Sequence, residues 1–121
     1  MKVMLLMKMS ESPEKMVPPS PEAINAMHEF NEALIAAGIL KDQVYGGLMP
    51  SKFAKRLQYS NQKLAVTDGP FTETKEVIAG FALWEVKSID EALEWARKSP
   101  VHMDCTVELR PLFCPEMFDP Q

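Results

Sequence analysis

A chain of 121 residues is the length of one domain, long enough to bury a core without disulfide or metal staples. Its 46% hydrophobic and 25% charged content is ordinary for a soluble globular protein, and no apolar run approaches the roughly 20 residues that span a bilayer. The net charge of −4 argues against direct nucleic-acid binding, which needs a basic surface to displace counterions from phosphates.

The N-terminal segment Met1-Lys2-Val3-Met4-Leu5-Leu6-Met7-Lys8 has too short an apolar run, and no small-residue cleavage site, for a signal peptide. It reads as a strand over 2–9 in a cytoplasmic protein. Val3, Leu5, Met7 and Met9 fall on one face and Met4 and Leu6 on the other, the pattern of a central strand covered on both sides. Three prolines make 10–20 a loop. Ser20-Pro21-Glu22 then opens a helix with a cap, a proline in the first turn and an acid at the positive end of the dipole. Ala23, Met27, Phe30, Leu34 and Ala37 form its apolar stripe, and Gly38 stops it.

Residues 43–48 read as a second strand. Residues 53–59 and 62–67 read as a hairpin turning at Ser60-Asn61. The longest strand, 77–87, is again apolar on both faces. Ser88-Ile89-Asp90-Glu91 is a capping box that starts a second helix, with Ile89, Ala92, Leu93 and Ala96 as its buried stripe and Ser99-Pro100 as its end. Residues 104–110 alternate, with Val107 and Leu109 inward and Thr106, Glu108 and Arg110 on the other face. The order is βαβ, hairpin, βαβ in a single domain. It predicts an α+β, ferredoxin-like sandwich with two helices on one face of an antiparallel sheet. Two helices cover one face only, so the apolar residues of the opposite face call for a homodimer packed sheet against sheet.

Asp68-Gly69-Pro70-Phe71-Thr72-Glu73-Thr74-Lys75-Glu76 is the most distinctive stretch. Pro70 pushes Gly69 to extended geometry and denies Asp68 the N–H of an ordinary Asx-turn. The carboxylate must therefore find a later N–H, such as that of Phe71 or Thr72, or point elsewhere. Glu73 and Lys75 share one face of the extended segment, Thr74 and Glu76 the other.

At these residues the chain resembles the DGPF-type family of the YCII-related superfamily, whose members carry a DGPFxETKE stretch. The likeness extends to Glu32-Ala33-Leu34, Ala37-Gly38-Ile39-Leu40, Ala79-Gly80-Phe81, Asp90-Glu91-Ala92 and Glu108-Leu109-Arg110-Pro111. It implies a dimeric α/β barrel. In the YCII branch a His–Asp pair in the barrel cleft is the suspected catalytic site, and lactone isomerases and dehydrochlorinases share the barrel. The chain departs from the family trend at Val101-His102-Met103-Asp104-Cys105, where glycine is commoner.

The candidate chemistry follows. His28, beside the helical stripe, is a general base paired with Asp68, or else a boundary residue half out of the core. Asp68 is a partner in proton exchange, or a turn carboxylate holding its own loop. Lys75 and Arg110 are the anion holders, or members of surface ion pairs. Phe71 and Trp84 wall an apolar pocket, with core packing the plainer role for Trp84. His28, His102, Cys105 and Cys114 have no metal-ligand spacing, so neither metal nor cofactor is expected, and both cysteines read as reduced thiols. The tail 111–121 carries Leu112, Phe113, Met117 and Phe118 and is expected to dock on the barrel or the partner subunit. The leading expectation is a lyase- or isomerase-like enzyme acting on a small organic acid. The alternative is a non-catalytic ligand-sensing or protein-interaction module associated with transcriptional regulation.

Overall fold

The computed structural model describes residues 1–9, 19–71, 77–100 and 105–118. Its elements are β1 (Lys2–Met9), α1 (Pro21–Ala36), β2 (Tyr45–Gly47), β3 (Lys55–Ser60), β4 (Lys63–Asp68), β5 (Val77–Glu85), α2 (Ile89–Arg97) and β6 (Cys105–Pro111). Four strands form an antiparallel sheet in the order β2-β5-β1-β6, and β3 and β4 pair only with each other. The first strand of each βαβ half, β1 and β5, is central, and the returning strands are edges. This is a mixed α+β arrangement consistent with the ferredoxin-like fold.

Local chemistry sets the helix ends. Ser20 Oγ accepts from the Ala23 N–H at 3.1 Å, leaving one fewer unpaired donor in the first turn. Gly38 follows the helix at φ +76°, where a side chain is strained, and its N–H donates to the Ile35 carbonyl at 3.0 Å. At α2, the Glu91 N–H donates to Ser88 Oγ at 3.1 Å, as a capping box requires. The Glu91 carboxylate reaches one residue further back than expected, accepting from the Lys87 N–H at 3.1 Å.

Both helices cover the same face of the sheet. Val3, Trp84 and Val86 from the strands pack with Leu34 of α1, Ala92 of α2 and the Ile39-Leu40 turn, and Leu5, Phe30, Ala82, Trp95 and Leu109 surround them. Trp84 is the largest fully buried side chain, with the Phe30 ring set edge-on at 6.4 Å between centroids. The expected helical stripes narrow in practice. Ala23 and Ala37 of the first, and Ile89 and Leu93 of the second, are exposed. Leu34 of α1 and Ala92 of α2 are the fully buried members of these stripes.

The register puts Met4, Leu6, Phe81, Leu83 and Ile78 on the opposite face, together with Lys8, Glu108 and Arg110. The first four are half-buried and Ile78 is exposed. A one-residue irregularity between Met7 and Lys8 leaves Ala79 of β5 without a direct partner on β1.

The hairpin differs from expectation in its turn. Its central residues are Asn61 and Gln62, at φ 50° and 64°, rather than Ser60-Asn61. Positive φ at both positions is the twist that suits a two-residue connection, and Asn tolerates it. Residue 53, expected in the first hairpin strand, belongs instead to a 3-10 turn over Ser51–Phe53. In the tail, Leu112 is tied by its N–H to the Lys2 carbonyl at 2.9 Å, and Phe113 and Met117 are exposed. Among the described residues no helix is long and apolar enough to cross a membrane.

Candidate functional site

A half-open cleft of about 640 Å³ lies between the helices and the sheet. Leu5, Met7 and Trp84 form its floor, and Met27, Phe30 and Leu34 of α1 form one wall. The polar groups are few: Asn31 on α1, Tyr45 on β2, Arg97 and Ser99 at the end of α2, and Cys105 at the start of β6. Ala79, the irregular residue of β5, also lines it. Small-molecule sites have this composition: an apolar body with a small set of polar groups that fix orientation.

Trp84 and Leu34 close the layers at one end of the sheet. Toward the Met7 and Cys105 end the strands carry Gly80, Ala79 and Val107 and leave space beneath α1. The Trp84 Nε1–H is buried and meets no acceptor among the described residues. Arg97 at the rim is exposed and 3.6 Å from the Glu94 carboxylate one turn earlier.

Of the residues singled out from sequence, Trp84 lines the cleft, whereas His28, Asp68, Phe71 and Arg110 do not. His28 is exposed on α1, its Nε2 3.8 Å from the Glu32 carboxylate. Asp68 ends β4 and pairs with Lys55 across the hairpin at 2.7 Å. No ion pair joins His28 to Asp68, and neither lines the cleft. Phe71 is half-buried at the hairpin base, 3.8 Å below the Arg56 guanidinium, and its N–H donates to Ser51 Oγ at 3.2 Å. Of the two N–H groups expected as partners of Asp68, that of Phe71 is thus used by another group, and Thr72 lies outside the described residues. Arg110 is exposed on the open face of the sheet, paired with Glu108 of its own strand. Lys75, with Glu73, Thr74 and Glu76, lies outside the described residues, as do His102 and Asp104. Among the described residues no group of three His, Cys, Asp or Glu side chains could hold a metal ion.

On that open face Lys8 donates to Glu108 at 2.8 Å from the neighbouring strand. This hydrogen bond, helped by the charges of Arg110 and Lys8 and opposed by partial desolvation, holds the Glu108 carboxyl below its ordinary value.

The cleft residues left no motif. One signal was available: Met27, Phe30, Asn31 and Leu34 follow the i, i+3, i+4, i+7 spacing of a buried helical face, and Asn31 is the polar member. A polar side chain inside an apolar stripe marks a wall that is not simply core.

Over 50 residues the chain is 48% identical to an uncharacterized protein of Rhizobium meliloti (strain 1021), a stretch covering 41% of this chain and 40% of that protein. The YCII-related domain family matches residues 1–114, nearly the whole chain. With its α+β fold and its cleft between helices and sheet, the chain belongs to the YCII-related domain family.

Proposed function

We propose that this YCII-related protein is a homodimer of the DGPF type that holds a small, largely apolar organic molecule in the cleft between helices and sheet. The cleft carries the reading. Its volume of about 640 Å³ lies within the roughly 300–1,000 Å³ range of small-molecule pockets. Its lining is aliphatic and aromatic, with Asn31, Ser99 and Arg97 available to orient one polar end. Among the described residues no His, Asp, Glu or Lys lines it, which favours binding or sensing over acid–base turnover inside the cleft. The dimer reading rests on the open sheet face, where Met4, Leu6, Phe81 and Leu83 stay half-exposed in the protomer. A cytoplasmic setting suits a sequence with only two cysteines and no CxxC spacing.

A lyase- or isomerase-like activity requires a different geometry. His28 and Asp68 would have to meet through a second protomer, with Phe71, Lys75 and Arg110 holding a small organic acid. Both catalytic candidates are exposed and accessible to such a partner.

Two measurements test the binding reading. Native mass spectrometry of the purified protein reports a co-purifying ligand. Thermal-shift titration with aromatic and short aliphatic carboxylic acids then compares the wild type with Ala96→Phe, which fills the cleft from α2. Stabilisation confined to the wild type is the expected result. Equal stabilisation of both proteins would place the ligand outside the cleft.

A further inference from the structure

We infer that the cleft takes a ring-bearing carboxylate, with its ring over the glycine pair Gly47 and Gly80 and its carboxylate held by Arg97 and Ser99. This rests on the cleft reading above and names the class of ligand. The sheet register builds the floor. Gly47 of β2 pairs with Gly80 of β5, Gly80 with Met7 of β1, and Met7 with Val107 of β6. All four line the cleft, as one row across the sheet. With strands about 4.8 Å apart, that row runs about 14 Å from edge to edge.

The β2 end of the row is flat and apolar. The neighbouring row, Tyr45, Ala82 and Leu5, carries a side chain at every position, whereas Gly47 and Gly80 carry none. Neither glycine has the positive φ that would demand one. A Cβ on Gly47 would meet nothing nearer than the Ala79 carbonyl at 3.9 Å, so close packing does not demand glycine there either. The pair leaves open floor on which a planar group can rest. Met7 adjoins it, and Met27 and Phe30 form the α1 wall. Thioether and ring partners favour an aromatic guest over an alkyl chain.

The other end is polar and cationic. α2 packs along β6, and its last turn brings Arg97 and Ser99 to the rim. Among the described lining residues Arg97 is the single charged side chain. Its contact with Glu94, at 3.6 Å between two exposed groups, is a weak surface pair that a carboxylate can displace with two charge-assisted hydrogen bonds. Trp84 is an independent sign of a guest. It is 1% exposed and lines the cleft, yet its Nε1–H meets no acceptor among the described residues. Buried donors are rarely left unpaired, and an acceptor on the guest would satisfy this one.

Isothermal titration calorimetry with hydrocinnamate, hexanoate and hydrocinnamyl alcohol tests it, on the wild type, Gly47→Val, Arg97→Gln and Ala96→Phe. Gly47 is the position to fill, because valine suits an exposed strand edge, whereas a Cβ on Gly80 would press on the Gly46 carbonyl at 3.2 Å. The wild type is expected to bind hydrocinnamate about tenfold or more tightly than either other probe. Gly47→Val should lose about tenfold for hydrocinnamate and little for hexanoate, with Gly47→Ala showing a smaller loss in the same direction. Arg97→Gln should bring hydrocinnamate down to the level of the alcohol. The Trp84 indole N–H resonance should move during the titration. Hydrocinnamate bound equally by the wild type and Gly47→Val, but lost in Ala96→Phe, overturns the ring floor and leaves the cleft reading standing. Binding that survives in Ala96→Phe as well overturns both. A wild type that prefers hexanoate or the alcohol, or binds none of the three, overturns the ligand class and leaves the cleft to whatever molecule co-purifies.

Discussion

The layered body and the β3–β4 ribbon obey opposite rules within one chain. In the body, Val3, Leu34, Leu40 and Trp84 are fully buried, and each element is held by a neighbour distant in sequence. In the ribbon, apolar and polar residues alternate as they do in β6, yet every residue is exposed. Alternation therefore shows that a strand has an apolar side, and says nothing of whether that side is covered by the same chain. The body is finished by intramolecular packing. The ribbon is finished only at its base.

Substitutions can break or sharpen this contrast. The largest effect is expected at Trp84, where replacement by alanine removes the biggest side chain of the core and costs about 3–5 kcal/mol, read from the denaturant midpoint. Gly69→Ala comes next. The Cβ forces the ribbon base away from Ser51 at a cost of about 1–3 kcal/mol, and hydrogen exchange should accelerate at Phe71 while the β1–β5 amides stay protected. Loss of protection throughout the body would mean that ribbon and body are one cooperative unit. Ser88→Ala removes the cap of α2 and should lower stability by about 1 kcal/mol in thermal unfolding.

Leu57→Ser should change stability by no more than about 0.5 kcal/mol, because the exposed side chain has little to lose. A cost near that of a core residue would show the ribbon folded against its own body. The smallest effect concerns pH. The folded pKa of Glu108 is lowered, chiefly by the Lys8 hydrogen bond, so its contribution is present above the ordinary glutamate value of 4.5 and is lost as pH falls through the lowered folded value. Glu108→Gln should flatten that acid limb of the stability curve without altering it near neutrality.

Much of the fold could be read in advance, and for local reasons. Ser20-Pro21, Gly38 and Ser88 with Glu91 are short-range devices whose hydrogen bonds close within a few residues. The two-faced pattern of β1 and β5 announced central strands, and both are central. The candidate site was far less readable. The Asp68–Glu76 stretch drew attention as a chemical cluster, but Asp68 joins Lys55 and Phe71 joins Arg56 and Ser51, all at the root of the ribbon. The cleft instead assembles Met27 and Asn31, Arg97 and Ser99, Met7, Ala79 and Cys105 from separate elements, and no spacing along the chain records that convergence.

Sequence was sufficient for the order of elements, the capped helix ends and the apolar side of each strand, because these follow from steric and hydrogen-bonding preferences within a few residues. Tertiary structure decided which apolar sides are buried, where the layers part to leave a cleft, and that the hairpin stands off the sheet. Those outcomes depend on long-range packing: how two helices pack on four strands, and how Gly69 meets Ser51 at the ribbon base.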